Sequence, residues 1–285
     1  MTVNDSLIDA EDALAKAGVE APRLTAESLM AKALCTGRAG VCARLRDELP
    51  DALVDTFFQM VGRRAAREPL QHITGRREFY GLDFEVTPDT LIPRPETELL
   101  VDFGIARLAG VEDALAADIG TGSGCVAVSL AAGLPSLTVY AVDSSAPAIG
   151  VARRNALKHG VAGRVVFLKG DLCVPLEVEG LEGRLDLIAS NPPYVPTGDI
   201  AGLQPEVQRE PMSALDGGVD GLDVVRRILT DAPVYLKPGG WLAMEIGLGQ
   251  SDAVKGLVDK TAGLEFIEFV RDFQGIERVV VTRKQ

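Results

Sequence analysis

Short apolar runs alternate with helical segments along the second half of the chain. The apolar runs are ALAADI from residue 114, LTVYAVD, VVFLKGD, LDLIAS, WLAMEIG, LEFIEF and ERVVVT, and the helical segments between the early ones include CVAVSLAAG and PAIGVARRNALKHG. A helix between two strands carries the chain back, so such strands run parallel. The sequence therefore predicts an α/β fold with a mostly parallel, doubly wound sheet. The last two runs, separated only by VRDFQGI, predict an antiparallel hairpin at its edge.

The first quarter of the chain has helical periodicity instead. Its apolar residues recur three and four positions apart, and Gly and Pro interrupt the pattern. We expect a helical bundle over residues 1–75 that docks a partner. The stretch FYGLDFEVTPDTLI predicts a β-hairpin linker over 76–93, and PRPETELLVDFGIARLAG opens the sheet domain, 94–285, with a helix.

Charge and composition exclude several classes of protein. The formal net charge of −12 argues against a protein that binds nucleic acid mainly by neutralising phosphates. No apolar window approaches the roughly 18 residues that cross a bilayer. The four cysteines lack C-x-x-C spacing and only two histidines accompany them, so we expect reduced thiols and no metal site. We expect a cytoplasmic monomer that binds neither a membrane nor nucleic acid directly.

A glycine-rich loop, Asp118-Ile-Gly-Thr-Gly-Ser-Gly124, joins the first run to a helix. Glycines there allow backbone N–H groups to approach a ligand. Asp143 ends the next run, where a carboxylate can accept both ribose hydroxyls, and Asp171 ends the run after that, where it can accept from an adenine amino group. Each acid alone could be a helix N-cap. Together the three predict a site for an adenosine-containing cofactor.

The motif Asn191-Pro192-Pro193-Tyr194 follows the fourth run. Two prolines have fixed φ and no N–H, so they hold the Asn191 side chain and nearby carbonyls in a rigid, acceptor-rich loop. Asn191 Oδ1 and the Pro192 carbonyl could accept both hydrogens of a planar amide or amino group, and Tyr194 offers a ring face for stacking. The simpler interpretation is a proline turn that ends a strand. The catalytic interpretation is methyl transfer to a planar nitrogen by positioning and electrostatics.

These residues resemble a known family. DIGTGSG, the Asp143 strand end and NPPY look like class I, S-adenosylmethionine-dependent methyltransferases with a Rossmann-like sheet. The stretch QHITGRREFYGLDFEVTPDTLIPRPETELLV, residues 71–101, resembles the peptide chain release factor glutamine methyltransferases, and the resemblance covers essentially the whole chain. It implies transfer of a methyl group from S-adenosylmethionine, leaving S-adenosylhomocysteine, to N5 of the glutamine in the Gly-Gly-Gln loop of class 1 release factors.

The resemblance also implies roles for residues. Asn191, Pro192, Pro193 and Tyr194 match the clamp for the substrate amide, and Thr97 matches a position over the methionine end of the cofactor. Where the family often has an aromatic residue after the third acid, this chain has Leu172. The full set of implied cofactor residues is Thr97, Asp118, Gly120, Thr121, Gly122, Ser123, Gly124, Asp143, Asp171, Leu172 and Asn191.

Alternatives stay open at this point. Glutamine methylation of a ribosomal protein would use the same clamp, and so would adenine N6 methylation of DNA, which requires base flipping. A nicotinamide oxidoreductase would need G-x-G-x-x-G, and a non-catalytic binding module would not need NPPY. The arginines at positions 63, 64, 67, 76 and 77 form either a solvated helix face or a docking surface for the release factor.

Overall fold

The chain divides into two units in the computed structural model, which describes residues 1–285. The first unit contains residues 1–76 and 204–209, and the second contains residues 77–203 and 210–285. The sequence-based division at 75/76 and 93/94 places residues 204–209 in the sheet domain, whereas the structure groups them with the helices. Periodicity does not assign such a segment, because it lies far along the chain from the helices that it joins.

Helices make up most of the first unit, as the periodicity predicted. They are α1 (Val3–Lys16), α2 (Pro22–Ala33), α3 (Arg38–Ala43), α4 (Asp51–Ala65) and α5 (Leu70–Thr74). Thr2 caps α1 in a capping box with Asp5, which satisfies free N–H groups at the helix start. Leu7, Leu29 and Phe57 are fully buried in a core of their own, so this unit has its own hydrophobic stabilisation.

A short hairpin follows these helices along the chain. Its strands are β1 (Arg76–Phe79) and β2 (Leu82–Glu85). The two turn residues, Tyr80 and Gly81, have φ of +52° and +71°, as a two-residue hairpin turn of type I′ requires. The hairpin confirms the strand signal in FYGLDFEV.

A seven-stranded sheet forms the centre of the second unit. Its strands are β3 (Leu115–Ile119), β4 (Thr138–Asp143), β5 (Val165–Lys169), β6 (Leu185–Ser190), β7 (Leu236–Glu245), β8 (Leu264–Arg271) and β9 (Glu277–Lys284). Their order is β5-β4-β3-β6-β7-β9-β8, and only the pairings of β9 are antiparallel. The predicted mostly parallel sheet with an antiparallel edge hairpin is confirmed.

The remaining helices connect these strands. A 3-10 turn, Pro95–Thr97, leads into α6 (Glu98–Leu108), and α7 (Cys125–Gly133), α8 (Ala146–Lys158), α9 (Val174–Val178), α10 (Asp223–Tyr235) and α11 (Ser251–Val258) follow along the chain. Further 3-10 turns cover Thr197–Gly202, Val207–Arg209 and Met212–Ala214. No helix has the length and apolar character needed to cross a bilayer.

The strand order reverses direction between β3 and β6. The chain proceeds from β3 to β4 and β5 on one side and then crosses to β6 on the other. Ile119 at the end of β3 pairs with Ser190 at the end of β6, so Gly120 and Asn191, which follow them, leave the sheet side by side. Open α/β sheets bind ligands at such a switch point.

Candidate active site

The glycine loop after β3 is open on the side where a ligand would approach. Gly120, Gly122 and Gly124 have φ of +77°, +56° and +81°, in the left-handed region that glycine tolerates best. A Cβ added at Gly120 or Gly122 would meet no atom closer than 3.9 Å, whereas one at Gly124 would lie 3.0 Å from Ala152 Cβ. The first two glycines therefore keep space free above the loop, and the third allows α7 and α8 to pack closely.

Asp118 anchors this loop from below. Its carboxylate is buried and accepts hydrogen bonds from Thr121 Oγ1 (2.6 Å) and from the Ala127 N–H (3.1 Å). Burial raises the pKa of Asp118 to about 6, and the nearby Asp143 carboxylate adds to the rise. The Asp118 side chain therefore stabilises the conformation of the glycine loop.

Asp143 ties the loop to the end of β4. Its Oδ2 accepts from the Gly122 N–H (2.9 Å) and its Oδ1 from the Ser145 N–H (2.8 Å). A carboxylate has about four acceptor positions, so both oxygens keep capacity for a ligand. The carboxylate lines a cavity of about 190 Å³ with Gly120 and Gly122.

Asp171 and Leu172 also line this cavity. Asp171 Oδ2 lies 2.5 Å from Arg227 Nη2, and both side chains are largely exposed. Leu172 has φ of +46°, which is unusual for a leucine, and packs against the core of the sheet unit. A ligand bound there would contact the aliphatic Leu172 side chain beside Asp171, whose carboxylate is paired with Arg227.

A smaller cavity of about 40 Å³ adjoins the first and shares Gly120, Gly122 and Asn191 with it. Thr97 and Ser123 also line it. The Ser123 hydroxyl is buried and has no hydrogen-bond partner, which is costly unless a ligand supplies one. Arg94, another lining residue, pairs with Glu210 at 2.5 Å.

Asn191 stands where the two cavities meet. Its Nδ2 donates a hydrogen bond to Thr97 Oγ1 (3.0 Å), and this is the one hydrogen bond of its side chain. The amide oxygen Oδ1 is therefore free to accept from a ligand. The strand before it, β6, is buried along its whole length, so a rigid support holds this residue.

Tyr194 is held by two polar contacts. Its hydroxyl donates to Glu245 Oε1 (3.1 Å), and its carbonyl accepts from Gln250 Nε2 (2.9 Å). Burial and the neighbouring Glu245 carboxylate raise the pKa of the Tyr194 phenol, which therefore stays protonated and acts as a donor.

The sequence analysis missed Glu245. This residue ends β7, is 2% exposed, and accepts hydrogen bonds from Thr97 Oγ1 (2.6 Å) and Tyr194 OH. Burial raises its pKa to about 7, although the two hydroxyl donors oppose the rise. The signal was present in WLAMEIG, where an acid ends an apolar strand in the same way as Asp143 ends LTVYAVD.

The structure gathers most of the predicted site residues around the two cavities. Gly120, Gly122, Asp143, Asp171, Leu172, Asn191 and Pro193 line the larger one, and Thr97, Asp118, Gly120, Thr121, Gly122, Ser123 and Asn191 line the smaller one. Gly124, Pro192 and Tyr194 line neither, and Gly124 and Tyr194 instead make the packing and hydrogen-bond contacts described above.

The predicted arginine cluster is largely paired within the first unit. Arg63 binds Glu68 at 2.5 Å, and Arg64 and Arg67 both bind Glu206, at 2.7 and 2.8 Å. These carboxylates neutralise much of the charge that the sequence suggested for docking. Glu206 belongs to the segment 204–209, which explains why the sequence did not reveal it as a partner.

Comparisons with known proteins agree with this geometry. Residues 5–75 match the model described as the PrmC N-terminal domain, and residues 97–203 match the methyltransferase small domain. A release factor glutamine methyltransferase of Moorella thermoacetica is 46% identical over 98% of this chain and 97% of its own length. The chain belongs to the release factor glutamine methyltransferase family. A release factor glutamine methyltransferase of Geobacter sulfurreducens is 47% identical over 94% of this chain and 91% of its own length.

A distant solved structure has the fold of these methyltransferases. The hMettl16 catalytic domain, crystallised with a MAT2A 3'UTR hairpin, has a TM-score of 0.57 and 17% identity over 79% of this chain and 81% of its own. This likeness concerns the fold alone. Membership of the release factor glutamine methyltransferase family, with its class I methyltransferase domain, implies an enzyme that uses S-adenosylmethionine.

Proposed function

We propose that this protein methylates N5 of the glutamine in the Gly-Gly-Gln loop of class 1 peptide chain release factors, with S-adenosylmethionine as the donor. One observation carries the proposal. Asn191 commits its N–H₂ group to Thr97 and keeps its oxygen free where the two cavities meet. An amide oxygen in that position suits a substrate that must donate hydrogen bonds. The names of the close relatives support the choice of substrate.

The residues around the larger cavity fit an adenosine group. The carboxylate of Asp143 keeps acceptor capacity for ribose hydroxyls, and Leu172 provides an apolar surface for adenine. Asp171, although paired with Arg227, can accept from an adenine amino group.

The smaller cavity fits the methionine end of the same cofactor. The unpartnered hydroxyl of Ser123 and the open space above Gly120 and Gly122 are the features that a ligand would complete. Thr121 and Thr97 line the same space. When bound, S-adenosylmethionine supplies an electrophilic methyl group on a positively charged sulfur.

The chain's own residues prepare the amide nitrogen. Asn191 Oδ1 and the Pro192 carbonyl accept its two hydrogens, which fixes the plane of the amide and directs the nitrogen at the methyl group. The proline pair keeps these acceptors rigid, and the hydrogen bond from Tyr194 to Glu245 holds the other end of the NPPY loop. A separate general base is not needed at the start, because the amide proton becomes acidic as the C–N bond forms and is then released to water, while the sulfur keeps the electron pair of its broken bond to the methyl group.

The first unit is our candidate for binding the release factor outside its Gly-Gly-Gln loop. Since Glu68 pairs with Arg63 and Glu206 pairs with both Arg64 and Arg67, docking by this unit would use Arg76 from the predicted cluster, which is exposed and forms no salt bridge.

The test is a methylation assay with isotopically labelled S-adenosylmethionine. Release factor, ribosomal protein and duplex DNA are offered separately, and mass spectrometry locates the added methyl group. We expect label on the loop glutamine of the release factor. Asn191→Ala should lower the rate about a thousandfold, because one acceptor of the transition state is lost.

A matched control separates chemistry from folding. Asn4→Ala removes an asparagine side chain in α1 that makes no hydrogen bond, and it should methylate at the wild-type rate. Label on ribosomal protein or DNA instead of release factor, or full activity of Asn191→Ala, would overturn the proposal.

A further inference from the structure

A chain of hydrogen bonds runs from a buried carboxylate to the substrate amide site. Thr97 Oγ1 donates to Glu245 Oε2 (2.6 Å) and accepts from Asn191 Nδ2 (3.0 Å). Thr97 and Glu245 are each only 2% exposed, so water does not compete for these positions. The three side chains come from the 3-10 turn before α6, the end of β7 and the loop after β6.

The chemistry of the three groups allows the hydrogen bonds between them to run in only one direction. An ionised carboxylate only accepts, so Thr97 must use its single hydroxyl hydrogen to donate to Glu245. Thr97 can then only accept from Asn191, which must turn its N–H₂ group toward Thr97. The Asn191 oxygen consequently faces the cavities. With the amide reversed, an N–H₂ group would face the N–H₂ group of the substrate, donor against donor.

We propose that Glu245 is a positioning residue for methyl transfer: through Thr97 it sets the orientation of the Asn191 side-chain amide, and thereby makes the site an acceptor for the amide nitrogen of the substrate. This inference rests on the proposed function. Glu245 touches neither substrate nor cofactor in this role. The same carboxylate accepts from the Tyr194 hydroxyl (3.1 Å), so it supports both ends of the NPPY loop.

Protonation of Glu245 would allow the hydrogen bonds of Thr97 and Asn191 to run in either direction. A neutral carboxyl group can donate to Thr97, and Thr97 can then donate to Asn191, which allows the reversed amide. Besides the hydroxyls of Thr97 and Tyr194, the groups that act on Glu245 are Glu96, which raises its pKa, and Arg278, which lowers it; the Cys125 thiol is also nearby. Arg278 is paired with Asp272 at 2.9 Å.

The kinetic test uses replacements that preserve shape. Glu245→Gln can donate to Thr97, and Thr97→Val removes the hydroxyl, so each should lower kcat about 30-fold or more. KM for the release factor and Kd for S-adenosylmethionine should change less than about threefold in Glu245→Gln, because that replacement retains the residues that line the two cavities. Thr97→Ser keeps the hydroxyl and should stay within about threefold of wild-type kcat.

The double variant Glu245→Gln with Thr97→Val should be no slower than the slower single variant, because both changes interrupt the same chain. In the wild type, kcat should fall as the pH drops below about 7, and this fall should be absent in both single variants.

A control shows whether replacing any buried carboxylate would lower kcat and change its pH dependence. Asp186 is 7% exposed and accepts from the Leu115 N–H (3.0 Å) at the start of β3 and pairs with Lys237. Asp186→Asn should leave kcat and its pH dependence as in the wild type. A comparable kcat loss in Asp186→Asn, or wild-type kcat with the same acid limb in Glu245→Gln, would overturn the inference.

A measurement without substrate separates this inference from the proposed function. The chain has three asparagines, so side-chain ¹⁵N–¹H₂ signals can be assigned by replacing them one at a time. The Asn191 signal should titrate near pH 7 in the wild type and stay constant in Glu245→Gln. The signal of Asn155, which donates to Ser123 O and Glu85 O, should not titrate.

These readouts have distinct meanings. If the wild type leaves release factors unmethylated but the Asn191 signal titrates as described, the proposed function is wrong and the orientation by Glu245 stands. If release factors are methylated and the Asn191 signal does not respond to pH or to Glu245→Gln, the inference is wrong.

Discussion

One partly buried carboxylate of the helical unit and two buried carboxylates at the candidate site of the sheet unit are stabilised differently. In the helical unit, burial alone would raise the pKa of Glu206, but hydrogen bonds from Arg64 and Arg67 hold it below its usual value. In the sheet unit, Glu245 and Asp118 receive hydrogen bonds from hydroxyl and backbone N–H groups, with no arginine or lysine bonded to either. Burial therefore dominates, and their pKa values rise to about 7 and about 6.

The difference indicates what each carboxylate contributes. An ion pair such as that of Glu206 fastens one segment of chain to another, and its charges compensate each other. A carboxylate without a cation costs stability but forces every neighbour to donate toward it. Such an arrangement gives direction to hydrogen bonds, which a site that positions an amide requires.

Among changes to these carboxylates, the largest effect is expected at Asp118. Asp118→Ala would leave the Thr121 hydroxyl and the Ala127 N–H without their acceptor, so the glycine loop would lose its anchor. We expect the affinity for S-adenosylmethionine to fall about 100-fold, or about 3 kcal/mol, as measured by calorimetry. Glu112→Ala, at an exposed position before β3, is the control and should bind as the wild type does. Unchanged affinity in Asp118→Ala would mean that the loop needs no anchor.

The second effect is the pH dependence that Glu245 gives to the free energy of unfolding. Because the pKa of Glu245 is raised when the protein is folded, the folded state holds a proton between about pH 4.5 and 7 that the unfolded state has released. The contribution of Glu245 to the free energy of unfolding is therefore present below about pH 4.5 and is lost as the pH rises to about 7. The loss should amount to about 2–3 kcal/mol.

Urea unfolding of wild type and Glu245→Gln at about pH 5 and about pH 8 measures this loss. The glutamine side chain of the variant does not ionise, so the variant should gain stability relative to the wild type on going to the higher pH, while the other carboxylates cancel in the comparison. A difference in stability that does not depend on pH would contradict the raised pKa.

A smaller effect is expected from the ion pairs of the helical unit. Glu206→Ala would leave the nearly buried Arg64 without its partner and should cost about 2 kcal/mol of unfolding free energy. Glu68→Ala is the matched control, since its partner Arg63 is half exposed, and it should cost about 1 kcal/mol or less. Thermal unfolding measures both, and equal losses would show that burial of the arginine does not matter.

Local patterns in the sequence were sufficient for most of the fold. Apolar runs that alternate with helical segments predicted all seven strands of the sheet, and aromatic and β-branched residues around Gly81 and Asp83 predicted the hairpin. That the loops after β3, β4 and β6 lie together could also be predicted, because the strand ends of a parallel sheet meet at one edge. The structure places Asp118, Asp143 and Asn191 in the lining of the two cavities there.

Contacts between distant parts of the chain could not be predicted. Glu245 looked like one acid at the end of a buried strand, and only the pairing of β6 with β7 brings it beside Thr97 and Tyr194. No local pattern singles out Glu206 in the sequence, and the fold makes it the partner of Arg64 and Arg67.

The sequence by itself determined the strand and helix pattern, the glycine loop and the NPPY motif, because these depend on periodicity and on the backbone preferences of Gly and Pro. Only the tertiary structure decided the charge states and the direction of the hydrogen bonds. Those depend on burial and on which donors surround a carboxylate, and residues far apart along the chain supply both.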